Sequence, residues 1–140
     1  MDKALGQQIV EAADDVYAQL GGGLSECIYQ AALAIALRQR GYGIETEVVV
    51  PILYDNSYVG FVRPDIVINK EVVLELKSVT RVVESHLVQL RAYLRWLPRP
   101  PPDSPRMHSA IMGALINFGP TEVHVEYVQQ HVAESLERVS

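Results

Sequence analysis

Two acids and a lysine in the middle of the chain have the types and the spacing that metal-assisted phosphate chemistry uses. The segment runs Arg63-Pro64-Asp65-Ile66-Val67-Ile68, then Asn69-Lys70-Glu71, then Val72-Val73-Leu74-Glu75-Leu76-Lys77. Two β-branched runs around a short polar break read as a hairpin. A three-residue loop, Asn69 to Glu71, sets Ile68 against Val72, Val67 against Val73 and Ile66 against Leu74. A two-residue loop would set Asp65 against Leu74 and mix the faces of the sheet, so the three-residue loop is the expected register. Asp65 then lies opposite Glu75 with Cβ atoms ~4.5–5.5 Å apart, and Arg63 lies opposite Lys77 on the same face. Carboxylates so placed repel each other, and burial adds a desolvation cost, unless a cation sits between them. A few hard oxygen donors suit Mg²⁺ or Mn²⁺ better than Zn²⁺, which would call for His and Cys. Lys77, two residues beyond Glu75 and on its face, can hold a water or a scissile phosphate. On spacing alone the same residues also fit a solvated Glu75–Lys77 pair, because Asp-x9-Glu-x-Lys recurs by accident.

Other elements must position this hairpin. Leu5, Ile9, Ala12, Val16 and Leu20 fall at steps of three and four, which predicts an amphipathic helix over Lys3 to Leu20. Gly21, Gly22 and Gly23 break it. A second helix is expected from Ser25, a plausible N-cap, to Arg40, with Ile28, Leu33, Ile35 and Leu37 apolar and Gly41 as its stop. Cys27 on this helix is expected to pack against the sheet. Val48 to Leu53 reads as a strand closed by the turn residues Asp55-Asn56-Ser57. Strands over about Tyr58 to Ile68 and Val72 to Val79 follow, then a helix over Val83 to Leu97 with Leu87, Leu90, Leu94 and Leu97 in phase. Five prolines between Pro98 and Pro105 end it. Strands are expected over about Ser109 to Phe118 and Glu122 to Val128, with a short tail helix around Val132, Leu136 and Val139. The order ααβββαββ describes an α/β (α+β) fold, a mixed β-sheet flanked by helices.

With 140 residues the chain is long enough for one domain, 1–140, with a Pro-rich loop at 98–108. Hydrophobic residues at 49% and a mean hydropathy of +0.08 exclude a disordered or polytopic membrane class. One cysteine excludes a disulfide framework. Acids near the N-terminus fit no secretory leader. A cytoplasmic protein, or a nuclear one in a eukaryote, is expected, neither secreted nor membrane-bound. The net charge of −5 excludes a basic coat protein. Residues 77–106, however, carry six Lys or Arg against two acids, a short strip suited to phosphate with salt-sensitive affinity.

Gly23-Leu24-Ser25-Glu26-Cys27-Ile28-Tyr29 resembles the Gly-x-x-Glu-x-x-Tyr signature of the GxxExxY proteins, a branch of the PD-(D/E)XK nuclease superfamily. The likeness continues in order through Arg63-Pro64-Asp65, Glu75-Leu76-Lys77, His86 to Leu90 with Tyr93-Leu94, and Leu115 to Phe118. It spans roughly Gly21 to Phe118. The Pro98 to His108 stretch is longer than the family's usual link and touches none of these motifs.

The resemblance implies a restriction-endonuclease-like core and assigns roles residue by residue. Asp65 and Glu75 would be metal ligands with the Leu76 carbonyl, Lys77 would orient or activate the attacking water, and Glu26 would add a further acidic ligand from the helix. Glu26 is equally suited to the first turn of a helix by its charge alone. Gln89 matches the superfamily's helix motif and joins the catalytic set. His86 and Tyr93 share its face and fit either the site or the core. Tyr29 fits either substrate contact or helix packing, and Arg63 either phosphate binding or neutralisation of the acids.

The activity so implied is metal-dependent hydrolysis of nucleic-acid phosphodiesters, DNA before RNA, with Mg²⁺ or Mn²⁺. The alternative is a non-catalytic module of the same fold that binds nucleic acid or a protein. Besides nucleic acid, the sequence leaves open a homodimer and a protein partner on the Pro-x-x-Pro stretch.

Overall fold

The computed structural model describes residues 3–97 and 110–131. The chain runs α1 (Lys3–Leu20), α2 (Glu26–Gln39), β1 (Ile44–Thr46), β2 (Val50–Tyr54), β3 (Ser57–Val62), β4 (Ile66–Ile68), β5 (Val72–Lys77), α3 (Glu84–Trp96), β6 (Ala110–Phe118) and β7 (Val123–His131). The expected helices stand within two residues of their sequence limits. The Pro-rich stretch and the expected tail helix lie outside the described residues.

Five strands form one sheet in the order β1-β4-β5-β6-β7. β5 and β6 are parallel, which requires the crossover through α3, and the other neighbours are antiparallel. The sheet is therefore mixed and flanked by helices, as expected. α1 and α2 cover one face through Leu5, Ile9, Val16, Tyr29, Leu33 and Leu37, packed on Ile66, Leu74, Leu76 and Ile116. α3 covers the other with Leu90, Tyr93 and Leu94 on Val67, Val73 and Leu115. Gly113 lets α3 approach, since a Cβ there would stand 3.0 Å from a Leu90 methyl and 3.1 Å from the Val73 carbonyl.

The strand expected over Tyr58 to Ile68 is two strands. Pro64 lacks an N–H and restricts the residue before it, so the chain leaves extended pairing at Arg63. β3 pairs with β2 in a separate two-stranded sheet, while β4 joins the main one. Asp55 and Asn56 close the β2–β3 hairpin with φ of 51° and 62°, both left-handed as a tight twisted hairpin requires. A further short strand, β1, pairs with β4 at the sheet's edge; its three residues are too few to show a period. Cys27 is exposed beside Ser25 Oγ rather than packed on the sheet. No helix among the described residues is long and apolar enough to cross a membrane.

Candidate active site

The expected register holds. Ile66 faces Leu74, Val67 faces Val73 and Ile68 faces Val72, with Asn69 and Lys70 at φ of 52° and 62° in the turn. β4 begins only at Ile66, so β5 runs on past its neighbour through Glu75, Leu76 and Lys77. Asp65 curls into the space this leaves. Its Oδ2 accepts the Leu76 N–H at 2.8 Å, and its own N–H reaches Glu75 Oε1 at 3.4 Å. One residue's N–H and C=O point to the same edge of an extended strand, so the Leu76 carbonyl lies on the Asp65 side.

Glu75 shares the α3 face of the sheet with Val73 and is only 4% exposed. Lys77 Nζ stands 3.8 Å from Glu75 Oε2 and donates to Gln89 Oε1 at 2.9 Å. Gln89 in turn donates from Nε2 to the Tyr93 hydroxyl at 2.9 Å. Asp65, Glu75, Lys77, Gln89 and Tyr93 thus form one connected group between β5 and α3.

Its electrostatics are unbalanced. Burial raises the Glu75 carboxyl, and the Asp65 charge raises it further, to about 8, against the pull of Lys77. Burial also raises Asp65, opposed by its bond from Leu76, by Glu75 and by Lys77. Burial and the two acids push the Tyr93 hydroxyl up to about 12, so it stays protonated. When the buried Glu75 and the half-buried Asp65 are both ionised, one lysine leaves an excess of negative charge, and the donor set is oxygen only. That combination fits a hard divalent cation on Asp65, Glu75 and the Leu76 carbonyl.

Three candidates lie elsewhere, and His86 is engaged at the start of α3. Glu26 is exposed in the first turn of α2, which packs on the opposite face of the sheet. Among the described residues no three His, Cys, Asp or Glu converge as a metal-holding group, so Glu26 does not join the pair. Tyr29 does not face the site: its ring is fully buried and stacks on Phe118 at 4.4 Å and 3°. Its hydroxyl donates to the Gly21 carbonyl at 2.5 Å and accepts the Leu24 N–H at 3.2 Å. Tyr29 therefore ties the glycine loop to α2, because a buried phenol needs its hydrogen bonds met inside the fold. Arg63 is not opposite Lys77; the break at Pro64 leaves it exposed, 4.0 Å from Glu47. His86 Nδ1 accepts the Val83 N–H at 3.1 Å, satisfying a free donor at the start of α3.

Two positioning residues escape sequence reasoning. Asn117, paired with Lys77 across β5 and β6, accepts the Val79 N–H at 3.0 Å and donates to the Val79 carbonyl at 2.9 Å. Ser78 Oγ donates to the Leu24 carbonyl at 2.8 Å. Together they fix the chain just beyond Lys77 and tie the start of α2 to that end of β5. Asn117 sits in an apolar run, Leu115 to Phe118, and a lone polar residue within such a run is the signal that marks it.

A solved chain described as SSO0001 is similar in fold, with a TM-score of 0.51 and 23% identity over 78% of this chain. This chain spans about half, 52%, of that one. The comparison with curated proteins finds no match. The family model for the PD-(D/E)XK nuclease superfamily matches residues 3–130, a span that includes both acids, the lysine and the helix that holds it, and the chain belongs to that superfamily.

Proposed function

We propose that the chain is a Mg²⁺- or Mn²⁺-dependent nuclease of the GxxExxY branch, hydrolysing phosphodiester bonds of DNA in preference to RNA. The observation that carries this reading is the pairing of half-buried Asp65 with buried Glu75, with Leu76 N–H on Asp65 and Lys77 on Glu75. The branch assignment rests on Gly23, Glu26 and Tyr29; Gly23 has φ of +93° and Tyr29 binds the glycine loop.

Asp65, Glu75 and the Leu76 carbonyl would hold the ion, which supplies polarisation of the phosphate and a lowered pKa for the attacking water. Lys77 supplies a positive charge and N–H donors to a phosphate oxygen or to that water. Gln89 holds the ammonium on the α3 side, and Tyr93 holds Gln89. The burial of Glu75 keeps bulk water from screening its charge, so its contacts are stronger than they would be at the surface. Arg81, four residues beyond Lys77, and Arg95, in the last turn of α3, are exposed.

The test is cleavage of labelled single- and double-stranded DNA and RNA with Mg²⁺ or Mn²⁺, beside Asp65→Ala and Lys77→Ala. Metal-dependent cutting that both variants lose is the expected result. Equal activity in both variants overturns the assignment, and faster cutting of RNA than of DNA overturns the substrate.

A further inference from the structure

The link from β5 to α3 is anchored on both sides of a short exposed apex. On the β5 side Ser78 Oγ donates to the Leu24 carbonyl at 2.8 Å. Asn117 holds Val79 by both of its backbone groups, accepting the N–H at 3.0 Å and donating to the carbonyl at 2.9 Å. On the α3 side Val82 packs against the cluster under the helix, and the Val83 N–H donates to His86 Nδ1 at 3.1 Å. Between these anchors stand Thr80 and Arg81, both exposed. Among the described residues neither of their side chains has a hydrogen bond or an ion pair.

Asn117 is the unexpected member of this arrangement. It is only 6% exposed, in a run that is otherwise apolar from Ala114 to Phe118. A buried amide is tolerated where the fold meets its hydrogen bonds, and here it meets them with one residue of a connecting segment. Holding the N–H and the C=O of the same residue fixes its orientation as well as its place. Val79 itself is an ordinary half-buried valine, so the consequence falls on the apex that follows it.

Position sets what the apex can reach. Lys77 and Asn117 are partners across β5 and β6 and share a face of the sheet. Val79 is therefore anchored one strand spacing, ~4.8 Å, to the side of Lys77. Arg81 is four residues beyond Lys77, which keeps the two Cα atoms within roughly 14 Å. A nucleic-acid strand carries a phosphate every ~3.4 Å of duplex axis, so a strand with one phosphate at Lys77 has its next phosphates inside that radius. Arg95 is exposed too, but it lies six residues past Gln89, ~9 Å further along a helix that runs back towards the start of β6. Arg63 and Arg91 already face Glu47 and Glu84. A guanidinium with its N–H donors free matches two phosphate oxygens at once, and a threonine hydroxyl adds one more donor. With the backbone fixed beforehand, less freedom is lost on binding.

We propose that Arg81, with Thr80 beside it, binds a phosphate of the substrate strand next to the one at Lys77, and that Asn117 is the positioning residue that holds this apex. This rests on the nucleic-acid reading of the site and adds a contact to it.

Fluorescence anisotropy of the full chain with labelled single- and double-stranded DNA, in a chelator so that nothing is cut, tests it. Arg81→Ala is expected to raise the dissociation constant about tenfold, alike for every sequence, and to lower the slope of log affinity against log salt by about 0.7–0.9. Arg81→Lys should recover part of the loss, and Arg95→Ala, with the same change in net charge, should bind as the wild type does. Asn117→Ala should weaken binding in the wild type and have less effect in a chain already carrying Arg81→Ala, with folding followed by circular dichroism. With Mg²⁺ present, Arg81→Ala should raise KM and leave kcat unchanged. Equal binding by wild type and Arg81→Ala, equal losses in Arg81→Ala and Arg95→Ala, or a wild type that binds no DNA each overturns the contact. An Asn117→Ala loss that is the same with and without Arg81 overturns the positioning role. A wild type that binds through Arg81 and cuts nothing with Mg²⁺ or Mn²⁺ supports the contact and removes the nuclease reading, so the two fail separately.

Discussion

Lys77 on β5 and Gln89 on α3 are twelve residues apart and joined by a hydrogen bond of 2.9 Å. Lys77 decides which way the glutamine faces. An ammonium only donates, so Oε1 is the atom turned towards it, and Nε2–H is left to donate to the Tyr93 hydroxyl. The lysine is held from two sides, by a carboxylate on its own strand and by an amide oxygen on the crossover helix. A free lysine has ~2 kcal/mol of rotamer entropy to lose, and here part of that is lost on folding rather than on binding substrate.

Gln89→Ala is therefore expected to lower kcat by about 10–100-fold, the equivalent of ~1.5–3 kcal/mol for a hydrogen bond to a charged group. Lys77→Ala should cost more, about 10²–10⁴-fold. Divalent-ion binding, measured by calorimetry, should change little in Gln89→Ala because neither acid loses a direct contact. An unaltered kcat in Gln89→Ala would show that Lys77 needs no support from α3.

Stability of the metal-free protein should depend on pH through Glu75. Its carboxyl stands at about 8 in the folded chain against an ordinary 4.5, so between these values the native state keeps a proton that the unfolded chain releases. Stability then falls as pH rises through that window and levels off above it. Asp65, also raised, acts in the same direction. Urea midpoints with a chelator should drop from about pH 5 to about pH 9, and Glu75→Gln should flatten the trend. Mg²⁺ should oppose it, since ion binding needs the carboxylates ionised. A rising midpoint in the metal-free wild type would contradict the raised carboxyl.

Tyr29→Phe should cost about 1–2 kcal/mol of stability, because the Gly21 carbonyl and the Leu24 N–H both lose a partner. The specific activity of the folded protein should be unchanged. Chemical denaturation and the cleavage assay, run together, separate this structural duty from a substrate contact.

Gly22→Ala should be destabilising by about 1–3 kcal/mol. A Cβ at Gly22 would meet the Pro120 carbonyl at 2.7 Å, the Gly119 carbonyl at 2.8 Å and the Tyr17 hydroxyl at 2.9 Å. Two of these are backbone atoms and cannot swing aside. Thermal melting of the variant provides the check.

Local chemistry and pattern were enough to determine much of the protein. The 69–71 loop followed from matching apolar partners across the hairpin, since one step of slippage would turn every side chain to the other face. That register alone placed Asp65 beside Glu75 and Lys77 on the face of Glu75. Period and breakers placed α1, α2 and α3 within two residues. What pattern could not decide was which of several equivalent residues the tertiary packing uses. Along α2 the large apolar residues Ile28 and Ile35 stay exposed, and Tyr29, Leu33 and Leu37 face the sheet, because helix rotation is set by the surface opposite. The same rotation buries Tyr29 against Phe118 and leaves Glu26 in solvent. Arg63 was lost from the site for a backbone reason: Pro64 ends pairing and sends β3 into another sheet. Asn117 and Ser78 make their contacts across 38 and 54 residues of sequence, distances at which only the folded chain brings partners together.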